Sequence, residues 1–306
     1  MDRTPTESQA VAAAITKASS KQTYYTIKWF VDRELVNDAY LAYGYFRWVD
    51  DLLDTHGCTQ SEKIAFIERQ KHLLELSYCR MALPDISLEE QMLVDLVHND
   101  MADHPGLYSY LVNMMSILEF DARRRNRLIT QDELTSYSQG LAAAVTNAIH
   151  YFIGNADQAP PNDARYPAVF AAHITHMLRD TLDDIEMGYF NIPRDYLVQN
   201  QISPKDLNSP AYHSWICSRV ELADEYFREG RQYLAQDKNF RRRLVGYAYS
   251  ARFEWMLHTI QRENYCLRSE YRDRKGMKAS LWMVWNTLTA MLISGFFTRT
   301  PEQFVK

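Results

Sequence analysis

Glycine and proline are scarce, with ten of each in 306 residues. So few breakers exclude a chain of many short strands and tight turns. No run alternates polar and apolar side chains with period two for long, and there is no glycine-rich phosphate loop, low-complexity tract or internal repeat. The four cysteines, Cys58, Cys79, Cys217 and Cys266, are scattered and form no CxxC pair. That excludes a zinc finger or a disulfide scaffold and fits a reducing compartment. A basic excess is missing too: 34 Lys and Arg against 39 Asp and Glu give a net charge of -5, so nucleic acid is not an expected partner. The opening "MDRTPTESQA" lacks the apolar core of a signal peptide, and the expected location is cytoplasmic.

What is there is helical. With 46% hydrophobic and 24% charged residues the chain can bury a sizeable core. "ERQKHLLELSY", "LVNMMSILEFDARRRNRL", "HITHMLRDTLDDIEMGYF" and "RFEWMLHTIQRENYCL" repeat apolar residues at spacings of three and four. Most prolines group near Pro84, around Pro160, Pro161 and Pro167, and from Pro193 to Pro210. The expectation is an all-α chain forming one domain over 1–306, with 1–18 as a flexible lead-in and the proline-rich stretches as surface connections.

The segment from Ala279 to Phe297 carries no charge and is nearly long enough to cross a bilayer. Ser280, Asn286, Thr287, Thr289 and Ser294 weigh against spanning, because hydrocarbon penalises hydroxyls and amides. A buried terminal helix is the expectation. Peripheral docking of 279–297 on a membrane, with the protein then membrane-associated, is the alternative.

Two acidic clusters stand out. In "YFRWVDDLLDTHG", Arg47, Asp51 and Asp54 fall on one helical face and Asp50 sits four residues from Asp54. In "HMLRDTLDDIEMGYF", Arg179 precedes Asp180, Asp183 and Asp184, and Asp180 and Asp184 share a face. One acid run alone usually means a solvated surface. Two acid-rich helices facing each other would make a site for hard divalent cations, and oxygen-only ligands favour Mg²⁺ with substrate phosphates. Arg47 and Arg179 could add charge for those phosphates. His173 and His176 near Asp180 raise a rival reading as a transition-metal or di-iron site, but no ExxH pair accompanies them; satisfied helix histidines are the expectation. Aromatic residues flank the acids, among them Tyr24, Tyr25, Tyr45, Phe46 and Trp48. They serve packing, or shield a carbocation from water.

At these residues the sequence resembles the squalene/phytoene synthase family, all-helical class I isoprenoid synthases that join two prenyl diphosphates head to head. Arg47, Asp50, Asp51 and Asp54 look like its RxxDDxxD motif, with Tyr43 matching the tyrosine just upstream. Arg179, Asp180, Asp183 and Asp184 look like its RDxxED motif, with Asp183 in place of glutamate. Gly188 and Pro193 keep the following GRxYxP spacing, Tyr137 matches the first tyrosine of the central helix, and Gln261 to Leu267 is similar to a late helix. The likeness runs from about Ser20 to Arg274.

The resemblance implies a single class I bundle of helices around a central cavity. It implies that Asp50, Asp54, Asp180 and Asp184 bind Mg²⁺, for which Mn²⁺ can substitute, and that Asp51, Asp183, Tyr43 and Tyr137 join them in catalysis. Arg47, Arg179, Lys21 and Arg268 are the implied diphosphate contacts. The sequence has no nicotinamide fingerprint and leaves the use of NADPH open.

Several positions depart from the family pattern. Tyr189 stands where an arginine is expected near phosphate, and Ala142, Ala143, Ala144, Val145 and Thr146 replace the small AGxVG run. His176 replaces an asparagine, Phe253 a tyrosine, and Glu270 an arginine with Arg268 close by; Lys21 fits the early serine-lysine pair only with a one-residue shift. These changes remove positive charge, which suits one diphosphate better than two, although Arg268, Arg272, Arg274, Lys275 and Lys278 could restore it. Three functional readings follow: head-to-head condensation on farnesyl or geranylgeranyl diphosphate, single-substrate cyclisation, and a non-catalytic assembly protein. Oligomeric state is not encoded in any motif.

Overall fold

The structure, a computed structural model, describes residues 6–55, 57–100, 105–154 and 163–297. Among them the chain forms helices α1 (Glu7–Ser19), α2 (Lys21–Phe30), α3 (Val36–Leu53), α4 (Gln60–Tyr78), α5 (Leu88–Asn99), α6 (Pro105–Arg124), α7 (Gln131–Phe152), α8 (Pro167–Met187), α9 (Arg194–Gln199), α10 (Pro210–Gln236), α11 (Phe240–Arg262) and α12 (Met277–Phe297). No strand occurs among the described residues; the single β-bridge pairs Arg127 with Tyr189. The all-α expectation holds.

Local chemistry explains where the helices begin and end. Thr6 with Gln9, Thr59 with Glu62 and Ser87 with Glu90 form reciprocal capping boxes at α1, α4 and α5, each satisfying two backbone donors that a helix start leaves unpaired. Pro167 and Pro210 open α8 and α10, positions where a missing N–H costs nothing. These prolines therefore start helices rather than fill connections, while Pro160 and Pro161 lie outside the described residues. The second helical pattern stops at Arg124, short of Leu128, because Asn126 turns left-handed.

The contacts divide into two compact units. The first comprises residues 1–123 and 147–156. Here α1 packs along α3 and α5, and Ala12 and Thr16 are fully buried. The lead-in is thus a packed helix from Glu7 onward and not a flexible segment, because its small residues fit against α3. At Gly44 of α3 an added Cβ would lie 2.8 Å from the Ala12 Cα, so glycine sets how closely the two helices meet.

The second unit comprises residues 124–146 and 157–306, in which α8 packs on α10 and α11, and α12 on α11. Its apolar core includes Ile174, Leu178, Val220, Phe227, Leu257 and Ile260. A buried ion pair joins Arg242 Nε to Asp237 Oδ2 at 2.7 Å.

Candidate active site

In the first unit, the apolar face of α3 buries Leu41, Tyr45 and Val49, which leaves Arg47 and Asp50 half-buried and Asp51 exposed near the helix end. Arg47 pairs with Asp50 at 3.3 Å and closely with Asp51. Asp54 caps the helix, its N–H donating to the Asp50 carbonyl at 2.9 Å. Burial and then the Asp54 carboxylate push Asp50 up to about 6, against the pull of Arg47. Burial alone would loosen the Arg47 proton, but Asp51 and Asp50 outweigh it and hold the proton more firmly; Tyr43 is half-buried one turn earlier. Lys21 is exposed in the first turn of α2.

In the second unit, α8 ends at Gly188, which is left-handed at φ 88°. An added Cβ there would fall 2.1 Å from the Asn126 Oδ1, so only glycine fits. Arg179 grips Asp180 through two hydrogen bonds, and His176 Nε2 lies 2.9 Å from the same carboxylate. Burial alone would raise Asp180, but Arg179 and His176 outweigh it and hold the carboxyl well below the usual range. Asp183 is exposed, and Asp184 accepts from Asn191 Nδ2 at 2.8 Å.

Tyr137 also belongs to the second unit. Its ring lies 5.1 Å from that of His173, and the Arg124 guanidinium sits 5.0 Å above it. His173 is the exception to the satisfied-histidine expectation: its Nε2 is buried with no hydrogen-bond partner. Burial, followed by the charges of His176, Arg124 and Arg219, lowers it to about 3, so the ring is neutral. Arg268 pairs with Glu263 at 2.7 Å. Its backbone N–H donates to the Tyr271 hydroxyl, which burial pushes up first, with Glu263 and then Asp180 adding smaller contributions. The charge of Arg268 is thus already partnered by Glu263.

Three functional candidates escaped sequence reasoning. Arg124 is buried, stacked over Tyr137 and also 5.1 Å from the Tyr189 ring, and it donates to Asn191 Oδ1 at 2.8 Å. A guanidinium thus lies against Tyr189, the position where the family's arginine is absent. Asn191 links Arg124 to Asp184. Arg219, whose proton is loosened by burial, lines a cleft of about 430 Å³, part of it open solvent, together with Asp184, Tyr189, Asn191 and Tyr212. The "RRRN" run gave a hint of Arg124, but only tertiary stacking picks it out from its neighbours.

Both acidic clusters occupy the C-terminal ends of their helices, and neither last turn contains a basic residue. The helix dipole is negative there, so Asp50 and Asp51 in the last turn of α3 and Asp184 in the last turn of α8 are each disfavoured by about 0.3–1 kcal/mol at the surface, whereas Asp180, two turns back from the end of α8, is held ionised against its burial by Arg179 and His176. Among the described residues no three His, Cys, Asp or Glu side chains form a ready-made metal cage. His173 and His176 consequently lack the third ligand that a transition-metal site requires. A sparse, carboxylate-only set suits Mg²⁺, which takes one or two carboxylates and completes its shell with water and substrate phosphates.

Comparison with solved structures places the fold among squalene synthase-type, all-α isoprenoid synthases. A ligand-bound dehydrosqualene synthase is 15% identical and superposes with a TM-score of 0.69, covering 96% of this chain and 97% of its own. A squalene synthase from Alicyclobacillus acidocaldarius is 18% identical with a TM-score of 0.65, over 85% of this chain and 95% of its own. No significant match is found among curated proteins. The squalene/phytoene synthase family model matches residues 16–280, and the chain belongs to that family of prenyltransferase-type enzymes.

Proposed function

We propose that the chain is a Mg²⁺-dependent synthase that ionises farnesyl or geranylgeranyl diphosphate and condenses two such molecules head to head. The observation that carries this reading is the gathering of carboxylates toward two helix ends, with Asp50, Asp51 and Asp54 closing α3 and Asp184 in the last turn of α8, where the dipole opposes them. Such an arrangement is costly for an empty protein and favourable once cations arrive. Asp50, Asp54, Asp180 and Asp184 would hold the ions, and Mn²⁺ could serve in place of Mg²⁺. An ion held by these residues would supply Lewis-acid neutralisation of charge on the departing diphosphate.

The remaining roles fall to the protein's own side chains. Arg47, Arg179 and Lys21 contact diphosphate oxygens, and Arg268 does so if it leaves Glu263. Asp51 and Asp183, both exposed, add negative charge beside the metal ligands. Tyr43 and Tyr137 present ring faces and hydroxyls to the allylic cation, and neutral His173 adds no charge that would oppose it.

Single-substrate cyclisation is the second reading. It is favoured by Tyr189 in place of the family's arginine, and by Arg124 being enclosed between two rings instead of open to a second diphosphate. The deciding experiment incubates the protein with Mg²⁺ and farnesyl or geranylgeranyl diphosphate, with and without NADPH, and measures released diphosphate and the carbon number of the extracted products. Doubling of the carbon count supports condensation; an unchanged count supports cyclisation. Absence of diphosphate release with both substrates would overturn the catalytic reading in favour of an assembly protein.

A further inference from the structure

Helix α12 is built inside out. The face against α11 carries its polar and small residues: Ala279, Thr287 and Ser294 are buried, and Asn286 donates to Glu254 Oε2, itself paired with Arg231. The opposite face is apolar. Met277, Leu281, Val284, Trp285, Leu288 and Leu292 recur at helical spacing and are all exposed, Leu281 at 64% and Trp285 at 70%. A buried terminal helix is therefore only half right. A helix in water normally shows the reverse arrangement, and contiguous apolar patches of this kind mark interaction surfaces.

Two further features identify what this face meets. The sequence leading into α12 is cationic in an otherwise acidic chain: between Arg268 and Lys278 it has five basic residues, Arg268, Arg272, Arg274, Lys275 and Lys278, against two acids, and the Arg272 and Lys278 side chains are exposed. Moreover, the helix hydroxyls are bonded within the helix itself. Thr287 donates to the Met283 carbonyl at 2.7 Å, Thr289 to that of Trp285 at 2.9 Å, and Ser280 to that of Gly276 at 3.2 Å. The hydroxyls therefore bring no unpaired donor to an apolar medium, and the penalty expected from sequence does not arise. Among the described residues no helix is long and apolar enough to cross a membrane, so the face can lie on a bilayer but not span it.

We propose that the outer face of α12 docks in the plane of an anionic lipid bilayer, with Leu281, Trp285, Leu288 and Leu292 entering the headgroup boundary and the 268–278 segment meeting lipid phosphates. Apolar insertion combined with a basic flank is how interfacial helices bind anionic membranes. The docking uses none of the proposed metal ligands and shares only Arg268 with the proposed diphosphate contacts.

The test is co-sedimentation of the full chain with phosphatidylcholine vesicles, with and without phosphatidylglycerol. The expected result is roughly tenfold stronger binding to the anionic vesicles, weakened by salt, with a blue shift of tryptophan emission that Trp285→Phe removes. The double variant Leu281→Glu/Leu288→Glu should keep its circular dichroism and melting temperature and lose binding by about tenfold or more. Equal binding by that double variant, or no binding by the native chain, overturns the proposal. So does a two-chain mass in light scattering that the double variant returns to one chain, because the face would then be a self-association surface.

Discussion

Arg124 reaches Asp184 through a single intermediary: it donates to Asn191 Oδ1, and Asn191 Nδ2 donates to the carboxylate, each at 2.8 Å. Arg124 is held in turn by the rings of Tyr137 and Tyr189. It acts as a positioning residue, fixing an aspartate without being placed as a ligand itself. Removing such a partner typically costs 10–100-fold in metal affinity or activity. Arg124→Gln and Asn191→Ala should each raise the Mg²⁺ concentration needed for half-maximal diphosphate release by about that factor. An unchanged Mg²⁺ requirement would leave Arg124 a purely structural residue.

The adverse helix ends predict opposite effects of one substitution on stability and on turnover. Asp50→Asn removes a carboxylate that burial and Asp54 disfavour, and Arg47 keeps Asp51 as a partner. Thermal unfolding without metal should show a gain of about 0.5–1 kcal/mol, while diphosphate release falls at least ~100-fold, as expected for a lost metal ligand. Stabilisation with full turnover retained would remove Asp50 from the site.

A stability effect with a defined pH window comes from Asp38. This side chain is buried in the first turn of α3, accepts from Asn99 at 2.7 Å, and is raised by burial to about 6 from 3.8 despite that bond, with Asp100 and Asp95 adding repulsion. The folded state therefore binds a proton that the unfolded state has released, so stability falls as pH rises from about 4 through 6. Asp38→Asn keeps an acceptor for Asn99 and removes the charge. Its melting temperature should exceed that of the native chain at pH 7.5, by the equivalent of about 1–3 kcal/mol, and match it near pH 4. A gap that is the same at both pH values would contradict this.

The α1–α3 contact should not tolerate bulk. With an added Cβ at Gly44 lying 2.8 Å from the Ala12 backbone, Gly44→Val must push the helices apart. Urea unfolding should show a loss of about 1–3 kcal/mol, the usual cost of overpacking. Gly57, where a Cβ would meet nothing within 4 Å but φ is 99°, should lose only the strain of a left-handed side chain, about 1–2 kcal/mol.

Helical class and acidic motifs were legible because both rest on local spacing. Periodicity of three and four placed the helices, and paired arginine and aspartate runs placed the acids on helical faces. The lead-in was misread because a capping box at Thr6 is short-range evidence, whereas the burial of Ala12 depends on Gly44, more than thirty residues away. Arg124, Asn191 and Arg219 could not be singled out for the same reason: nothing near them in sequence names Tyr137 or Asp184 as neighbours. The α12 residues are apolar in sequence, but which side faces the protein depends on tertiary contacts: Ala279, Thr287 and Ser294 are buried against α11 and Asn286 meets the Glu254–Arg231 pair.

Carboxylates gathered where helix dipoles point the wrong way make the empty protein a loaded spring. The repulsion that weakens the resting fold reappears as affinity when cations and diphosphate arrive together, so the chain should resist heat and proteases best while occupied. In a cell, its lifetime would then follow the supply of its substrate.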